Sequence, residues 1–445
     1  MKRGVPTLIL VVALAWGGSA LADEPSPKRA VPDYGGRRPP PPTAGQVAMW
    51  VPRVALAPAY MVTEYVLRWP LSVAIPAAER ADLPRKLYDF FTFGPEHKAG
   101  FAPVALVAFG FNPSVGVYVF WDDALFDGNS MRLHAEAWPV DWFAGSLTER
   151  IQIDRHDLVQ FRVEASRRPD RVFYGIGPDT LQSNQSRYGE DRLDASALYE
   201  WRFGRASRIQ TAVGLRSAAL SDGQYGTDPT LGREAATRAF DVPYGFGRPY
   251  AAEYNRVVVV IDTRRPKPSP GSGLRVEVQA EQGSDLRQTP ASGWIRYGAS
   301  AGGYLDLNGH RRVLGLAVTT VFADPLGDRP IPFTELASLG GDGPMRGYFP
   351  GRLVDRSAAA ASMHYLWPIG PWLDGSLEAA VGNVWGEHLQ AFRPGRLRFS
   401  GDIGVSSPGF SDYPIGCVFG VGSETFERGG TIDSFRVTLS VNHGF

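Results

Sequence analysis

The stretch that decides the fold is Phe435-Arg436-Val437-Thr438-Leu439-Ser440-Val441-Asn442-His443-Gly444-Phe445. Successive side chains of a strand point to opposite faces, so its apolar residues share one face and its polar residues the other. The apolar set is Phe435, Val437, Leu439, Val441 and Phe445. An alternating strand that ends on an aromatic residue is typical of an outer-membrane β-barrel, whose apolar face meets lipid and whose polar face lines a wet interior.

The same period of two recurs along most of the chain. In one clear example, Val159, Phe161, Val163 and Ala165 alternate with Gln160, Arg162, Glu164 and Ser166. This pattern predicts an all-β fold, a sixteen-stranded antiparallel transmembrane β-barrel over residues 99–445. The predicted strands lie near 100–112, 114–124, 129–140, 142–153, 157–168, 192–203, 207–220, 253–264, 273–284, 293–306, 311–323, 358–368, 374–387, 396–406, 414–425 and 433–445.

The predicted connections differ in length in a regular way. The three longest, 169–191, 221–252 and 324–357, follow the fifth, seventh and eleventh strands. Connections after odd-numbered strands are extracellular when the chain enters from the periplasm, and extracellular loops are the longer ones. Closure of the barrel requires the first strand, near residues 100–112, to pair with the last, near residues 433–445.

The first hundred residues show three other patterns. Residues 1–22 combine two basic residues, an apolar run and a small-residue cleavage site, which predicts a secretory signal peptide. Residues 23–45 form a proline-rich linker. Residues 46–98 are predicted to form a short helical N-terminal extension broken by prolines. Secretion together with a barrel predicts localisation in the bacterial outer membrane.

Composition argues against several classes of function. The formal net charge is +0, which does not favour a nucleic-acid partner. The seven histidines are scattered without metal-ligand spacing, so we expect no metal and no cofactor. Arg132, His134 and Glu136 share one face of the third strand and resemble an acid–base group, but a polar lumen explains them more simply. We therefore expect no enzyme activity.

One loop motif narrows the family. The connection after the eleventh strand contains Leu339-Gly340-Gly341-Asp342-Gly343-Pro344-Met345-Arg346-Gly347-Tyr348. With this motif, residues 100–445 resemble the Omp85 superfamily, the outer-membrane assembly and secretion barrels also called bacterial surface antigens. In that family the sixth extracellular loop folds into the lumen, and its tip carries an Arg-Gly-Phe/Tyr motif matching Arg346, Gly347 and Tyr348. Two further stretches look like this family, Phe173 to Thr180 and Asp262-Thr263-Arg264.

The resemblance implies an acidic partner for the motif arginine. In the family that partner is an aspartate on the thirteenth strand, where this chain has Ala380. Glu378 shares the same face one pair earlier, and Asp402 on the next strand shares the lumen-facing parity. We expect Arg346 to pair with Glu378, Asp402 or both, in bidentate geometry where the side chains allow it. The alternative is that Arg346 pins the loop without any direct part in transport.

The resemblance also sets expectations for function. About fifty residues separate the linker from the first strand, too few for the periplasmic POTRA modules of many members, so the chain resembles the subset that lacks them. We expect help with insertion, assembly or translocation of protein or lipid at the outer membrane. The expected partners are outer-membrane lipid, client membrane proteins or lipids, and a periplasmic partner. The alternative is a passive or gated pore with a loop-plugged lumen.

Overall fold

A computed structural model describes residues 80–139, 141–204, 206–264, 271–287, 292–309, 311–369, 373–407 and 416–440. The predicted signal peptide, the linker, most of the helical extension, Val441 and Phe445 lie outside these residues. Within them, sixteen long strands form one antiparallel sheet. The strands are β1 (Ala99–Ala108), β2 (Ser114–Asp122), β3 (Asn129–Trp138), β4 (Trp142–Gln152), β5 (Asp157–Phe173), β6 (Ser186–Phe203), β7 (Ser207–Asp222), β8 (Tyr250–Asp262), β9 (Gly273–Asp285), β10 (Ser292–Asp306), β11 (Val313–Pro325), β12 (Ser357–Pro368), β13 (Asp374–Trp385), β14 (Arg398–Ser406), β15 (Gly416–Ser423) and β16 (Ile432–Ser440).

The sheet closes on itself. Each strand pairs with the next in sequence, and β16 pairs with β1 through Thr438 opposite Ala108, Leu439 opposite Val107 and Ser440 opposite Leu106. The predicted all-β, sixteen-stranded barrel is therefore confirmed, as is the pairing of its first and last strands. Closure leaves no long unpaired sheet edge, which is what a sheet in lipid requires.

The two faces of the wall differ as the alternation predicts. Leu133, Phe161 and Val278 are among many apolar side chains left exposed on the outer face. Charged and polar side chains such as His134, Glu281 and Glu378 are buried on the inner face. An apolar belt around a polar lumen is the arrangement expected for a barrel surrounded by lipid.

One predicted loop is wrong in length. Both ends of residues 169–191 are strand, because β5 continues to Phe173 and β6 begins at Ser186. The register shifts between Arg168 and Arg171, where Pro169 lacks an N–H for the ladder. This stretch is polar on both faces and looks like loop in the sequence, but ion pairs such as Arg167 Nε to Asp191 Oδ1 at 2.7 Å accompany the ladder here.

The remaining elements are short. Helix α1 (Leu83–Phe91) and a two-residue strand, Thr92–Phe93, precede β1, and Thr92 and Phe93 pair with Gly100 and Ala99. Helix α2 (Leu231–Ala236) lies between β7 and β8. The 3-10 helices are Pro95–His97, Gln182–Asn184, Phe333–Glu335, Glu387–Leu389, Pro394–Arg396 and Phe426–Arg428. No helix in the described ranges is long and apolar enough to cross a bilayer.

The loop between β11 and β12, residues 326–356, folds into the barrel. We call it loop 6. It contains a two-stranded hairpin that the sequence did not predict, with Ala337–Leu339 paired to Leu353–Asp355. Apolar residues of this hairpin and of the connection between its two strands pack against β12 and β13. The packed core of the molecule therefore lies inside the barrel, between the loop and the wall.

Candidate functional site in the lumen

The inner wall beneath loop 6 carries an unusual row of side chains across five neighbouring strands. His364 lies opposite Glu378, Glu378 opposite Asp402, Asp402 opposite Gly420 and Gly420 opposite Arg436. We call this set the lumen row. Glu378 and Asp402 are buried like charges facing each other, an arrangement that destabilises a sheet unless a cation compensates it.

Arg346 supplies that compensation from the loop. Its Nε lies 3.8 Å from Glu378 Oε2, and its Nη1 lies 3.8 Å from Asp402 Oδ1. The structure thus places Arg346 between both of the carboxylates proposed for it. The two distances exceed those of hydrogen bonds, so the bidentate geometry is not formed and the attraction is Coulombic. Asp402 has no hydrogen-bond partner among the described residues.

Glu378 has a second partner that the sequence did not indicate. His364 Nδ1 lies 3.1 Å from Glu378 Oε2, and the other ring nitrogen lies 2.8 Å from Ser362 Oγ. The backbone N–H of Met345, next to the motif, donates to Glu378 Oε1 at 3.3 Å. Glu378 therefore joins the wall to the loop through one side chain.

Gly347 allows the loop backbone to touch the wall. A methyl group at this position would overlap the carbonyl of Val421, and one built on Gly420 would lie 2.9 Å from the Gly347 Cα. The Gly347 N–H donates to Ser400 Oγ at 2.9 Å, and its carbonyl accepts from Ser434 Oγ at 2.8 Å. A side chain at Gly347 would separate these groups, which explains the glycine of the motif.

Tyr348 completes the contact. Its ring is fully buried against Gly422, and a Cβ on Gly422 would lie 2.5 Å from the ring. Its hydroxyl donates toward the carbonyls of Ser423 at 2.6 Å and Phe399 at 2.9 Å, and accepts from the Ser423 N–H at 2.8 Å. Burial raises the pKa of Tyr348 to about 12, so the hydroxyl stays neutral and keeps its proton to donate.

The loop is also tied to the last strand. The Arg436 guanidinium donates to the Gly341 carbonyl, to the Arg346 carbonyl at 3.4 Å and to Asp342 Oδ1 at 2.9 Å. Arg436 was predicted merely as one of the polar residues of an alternating strand. A guanidinium has enough N–H donors for the two carbonyls and the carboxylate of the loop, but no sequence signal connects Arg436 to residues ninety positions earlier.

The opposite end of loop 6 reaches the far wall. Glu335, from the 3-10 helix Phe333–Glu335, lies 2.8 Å from Arg216 Nη1 and accepts from the Tyr250 hydroxyl at 2.6 Å. Burial disfavours the charge on Glu335, but Arg216 outweighs it and lowers the pKa of that carboxyl. Because β7 and β8 carry these partners, loop 6 spans the lumen and narrows it.

A second loop holds loop 6 from above. Arg352 donates to Thr180 Oγ1 at 2.7 Å and to the Thr180 carbonyl at 3.0 Å, and Arg398 of β14 donates to the same carbonyl at 2.7 Å. Burial and the nearby Arg398 guanidinium lower the pKa of Arg352 to about 10. The stretch from Phe173 to Thr180, which resembled the family in sequence, is thus the partner of loop 6.

Two residues of the acid–base group considered above lie in contact: His134 Nε2 lies 2.7 Å from Glu136 Oε1, and Ser114 Oγ donates to the other oxygen of that carboxylate. Arg132 pairs with Asp122 at 2.7 Å. Elsewhere Asp324, Glu387 and His388 come together at the extracellular rim. There Arg356 already pairs with both carboxylates, at 2.8 and 3.2 Å.

These features define the class of protein. A closed sixteen-stranded barrel with an apolar outer face, and a lumen narrowed by the loop after its eleventh strand, is an outer-membrane type of barrel. The chain belongs to the Omp85 superfamily, because a model of the Omp85 superfamily domain matches residues 157–406, more than half of the chain. Barrels of this family are bacterial outer-membrane proteins.

One solved structure shows the same fold at low identity, and two others are less similar. BamA from Haemophilus ducreyi lacking POTRA domains 1–3 is 13% identical, with a TM-score of 0.54 over 77% of this chain and 70% of that chain. CdiB from Escherichia coli is 12% identical over 78% of this chain and 64% of that chain, with a TM-score of 0.48. CdiB from Acinetobacter baumannii is 8% identical over 78% and 60%, with a TM-score of 0.47. No curated protein matches the sequence.

Proposed function

We propose that this protein assists the insertion, assembly or translocation of protein or lipid at the bacterial outer membrane, without covalent catalysis. In this proposal the client enters at the seam where β1 meets β16, and loop 6 controls the opening of that seam. The observation that carries the proposal is the attachment of loop 6 to the last strand through Arg436 and Ser434.

In the described part of the chain, three residue pairs join β16 to β1, and the Phe109 N–H donates to the Val437 carbonyl at 3.0 Å. Residues 441–445 lie outside the described chain.

Loop 6 contacts both sides of the seam. On one side it is hydrogen-bonded to β16, as described above. On the other side the Phe349 ring packs edge-on against Phe111, in the loop between β1 and β2, with ring centroids 5.1 Å apart. A client strand or lipid that displaces loop 6 would therefore loosen both strands at once.

The chemistry of the lumen supports a role without covalent steps. Within the lumen row His364 pairs with Glu378, Arg436 donates to carbonyls of loop 6, and Asp402 faces the Arg346 guanidinium at 3.8 Å. We propose outer-membrane lipid and client membrane proteins or lipids as partners, together with a periplasmic partner for delivery. The expected location is the bacterial outer membrane.

The test is depletion of the protein in its native host, followed by quantitative profiling of outer-membrane proteins and lipids. Plasmid copies encode the wild type, Arg346→Met or the control Arg167→Met, whose ion pair with Asp191 lies on the exposed outer face. We expect loss of outer-membrane barrels or a changed lipid distribution on depletion. The wild type and Arg167→Met should restore the envelope, while Arg346→Met should not.

An unchanged envelope with altered uptake of small solutes would refute this proposal. It would favour the passive pore, for which the loop-narrowed lumen is the supporting observation. In that case deletion of residues 338–352 would raise single-channel conductance in planar bilayers and leave membrane composition unchanged. An assembly role instead predicts that the same deletion alters membrane composition.

A further inference from the structure

A cavity of about 980 Å³ lies on the extracellular side, away from the lumen row. Its walls come from three loops: residues 174–184, residues 239–244 and loop 6. Hydrogen bonds fix these loops to one another. The Gly177 N–H donates to the Val354 carbonyl at 3.0 Å, Asn184 Nδ2 to the Ala239 carbonyl at 3.4 Å, and the Phe333 N–H to the Tyr244 carbonyl at 2.9 Å. The cavity is therefore preformed and has the size of a small-molecule site.

Much of the lining is apolar or aromatic. It includes Tyr174, Ile176, Phe240, Val242, Tyr244 and Ile331. Ile176 and Val242 are 45% and 62% exposed, so apolar surface faces this space without protein cover. Burying such surface against the body of a ligand would be favourable.

One charged group in the wall is poorly compensated. Asp355 is only 7% exposed, and its Oδ1 accepts a hydrogen bond from the Arg356 N–H at 2.7 Å. The Arg356 guanidinium points elsewhere, to Asp324 and Glu387. Oδ2 has no hydrogen-bond partner among the described residues and faces Gly177, where a Cβ would lie 3.9 Å away.

A buried carboxylate with one unpaired oxygen would attract a cation. Burial raises the pKa of Asp355, which reflects the cost of a buried negative charge without a full partner. An ammonium group beside Oδ2 would supply both a charge and hydrogen-bond donors. Aromatic walls add to the attraction for organic cations.

We propose that this cavity binds a small organic ammonium ion with an apolar body, with Asp355 as the counter-ion and the apolar walls around the body. This site is separate from the seam and does not depend on the function proposed above.

The experiment measures binding of 2-phenylethylamine to the purified, folded full-length protein by isothermal titration calorimetry. The neutral analogue 2-phenylethanol has the same body without the charge. We expect saturable binding of the amine, at least about tenfold tighter than that of the alcohol, which is the contribution of one charge-assisted hydrogen bond. Asp355→Asn should weaken amine binding by a similar factor. The control Asp328→Asn, at an exposed acid of the same cavity, should change it less than about twofold.

Three results would overturn the proposal. They are no saturable binding of the amine, equal binding of amine and alcohol by the wild type, or wild-type affinity in Asp355→Asn. Folding of each variant is checked by its heat-dependent shift in electrophoresis. If Asp355→Asn does not fold, the comparison of amine with alcohol on the wild type still decides the question.

Discussion

Substitution of Gly347 by alanine should release the tip of loop 6 from the wall. The added methyl group would overlap the backbone carbonyl of Val421, which cannot rotate away as a side chain would. The loop must then move, and two buried hydrogen bonds, to Ser400 and from Ser434, are lost. At about 1 to 3 kcal/mol for each buried group left unpaired, the cost is roughly 2 to 6 kcal/mol. Opening of the loop should therefore become at least about thirtyfold more frequent.

Hydrogen exchange followed by mass spectrometry measures this opening directly. The peptide covering residues 337–352 should exchange at least about thirtyfold faster in Gly347→Ala than in the wild type, while peptides from β5 to β7 should not change. The matched control is Gly343→Ala in the same turn, where the new Cβ would meet nothing closer than the Gly340 carbonyl at 3.7 Å. Wild-type protection in Gly347→Ala, or equal loss in both variants, would show that close backbone contact does not hold the loop.

Three further changes test other parts of the molecule. Arg436→Met removes the charged donor to the loop turn and should speed exchange of the same peptide about tenfold or more; unchanged exchange would mean that β16 does not hold the loop. Tyr348→Phe keeps the ring but leaves the Ser423 N–H without its hydroxyl acceptor, so it should lower stability by about 1 to 3 kcal/mol in urea unfolding. The control Tyr225→Phe, whose hydroxyl has no hydrogen bond within the described residues, should lower it by less than about 0.5 kcal/mol, and equal effects would contradict the argument. Because burial raises the pKa of Asp355, the folded protein holds that proton more tightly, and stability should fall as the pH rises from about 4 through the raised value. Asp355→Asn should lose Asp355's share of this fall and be more stable than the wild type at neutral pH; parallel melting profiles from pH 4 to 8 would count against it.

Most of the barrel was predictable because the alternation of faces is a local signal. Lipid contact requires an apolar residue at every second position, so each strand can be recognised from about ten consecutive residues. The predicted strand ends and loops are wrong outside the part of the wall that contacts lipid. Above the apolar belt, β5 and β6 continue with polar residues on both faces, and the hairpin of loop 6 is only three residues wide.

The site was partly predictable for a different reason. The parity of a strand assigns Glu378 and Asp402 to the lumen, and the family motif points to Arg346. Parity does not give register, so the direct opposition of the two carboxylates was not foreseeable. His364 and Arg436 join the row by pairing with neighbouring strands, but parity alone does not fix that register. The contact of Arg436 with loop 6 joins residues ninety positions apart, and a single sequence carries no record of it.

The attachment of loop 6 also constrains the order in which this protein itself must fold. Tyr348 bonds to Ser423, 75 residues later in the chain, and Gly347 bonds to Ser434, 87 residues later. Contacts between such distant positions form late, because the entropy of closing the intervening chain must be offset first. A nascent barrel that lacks β15 and β16 therefore has no place to seat its loop tip. Seating of the loop tip is thus the event that follows completion of the wall, after the contacts of loop 6 with β7 and β8 can already have formed.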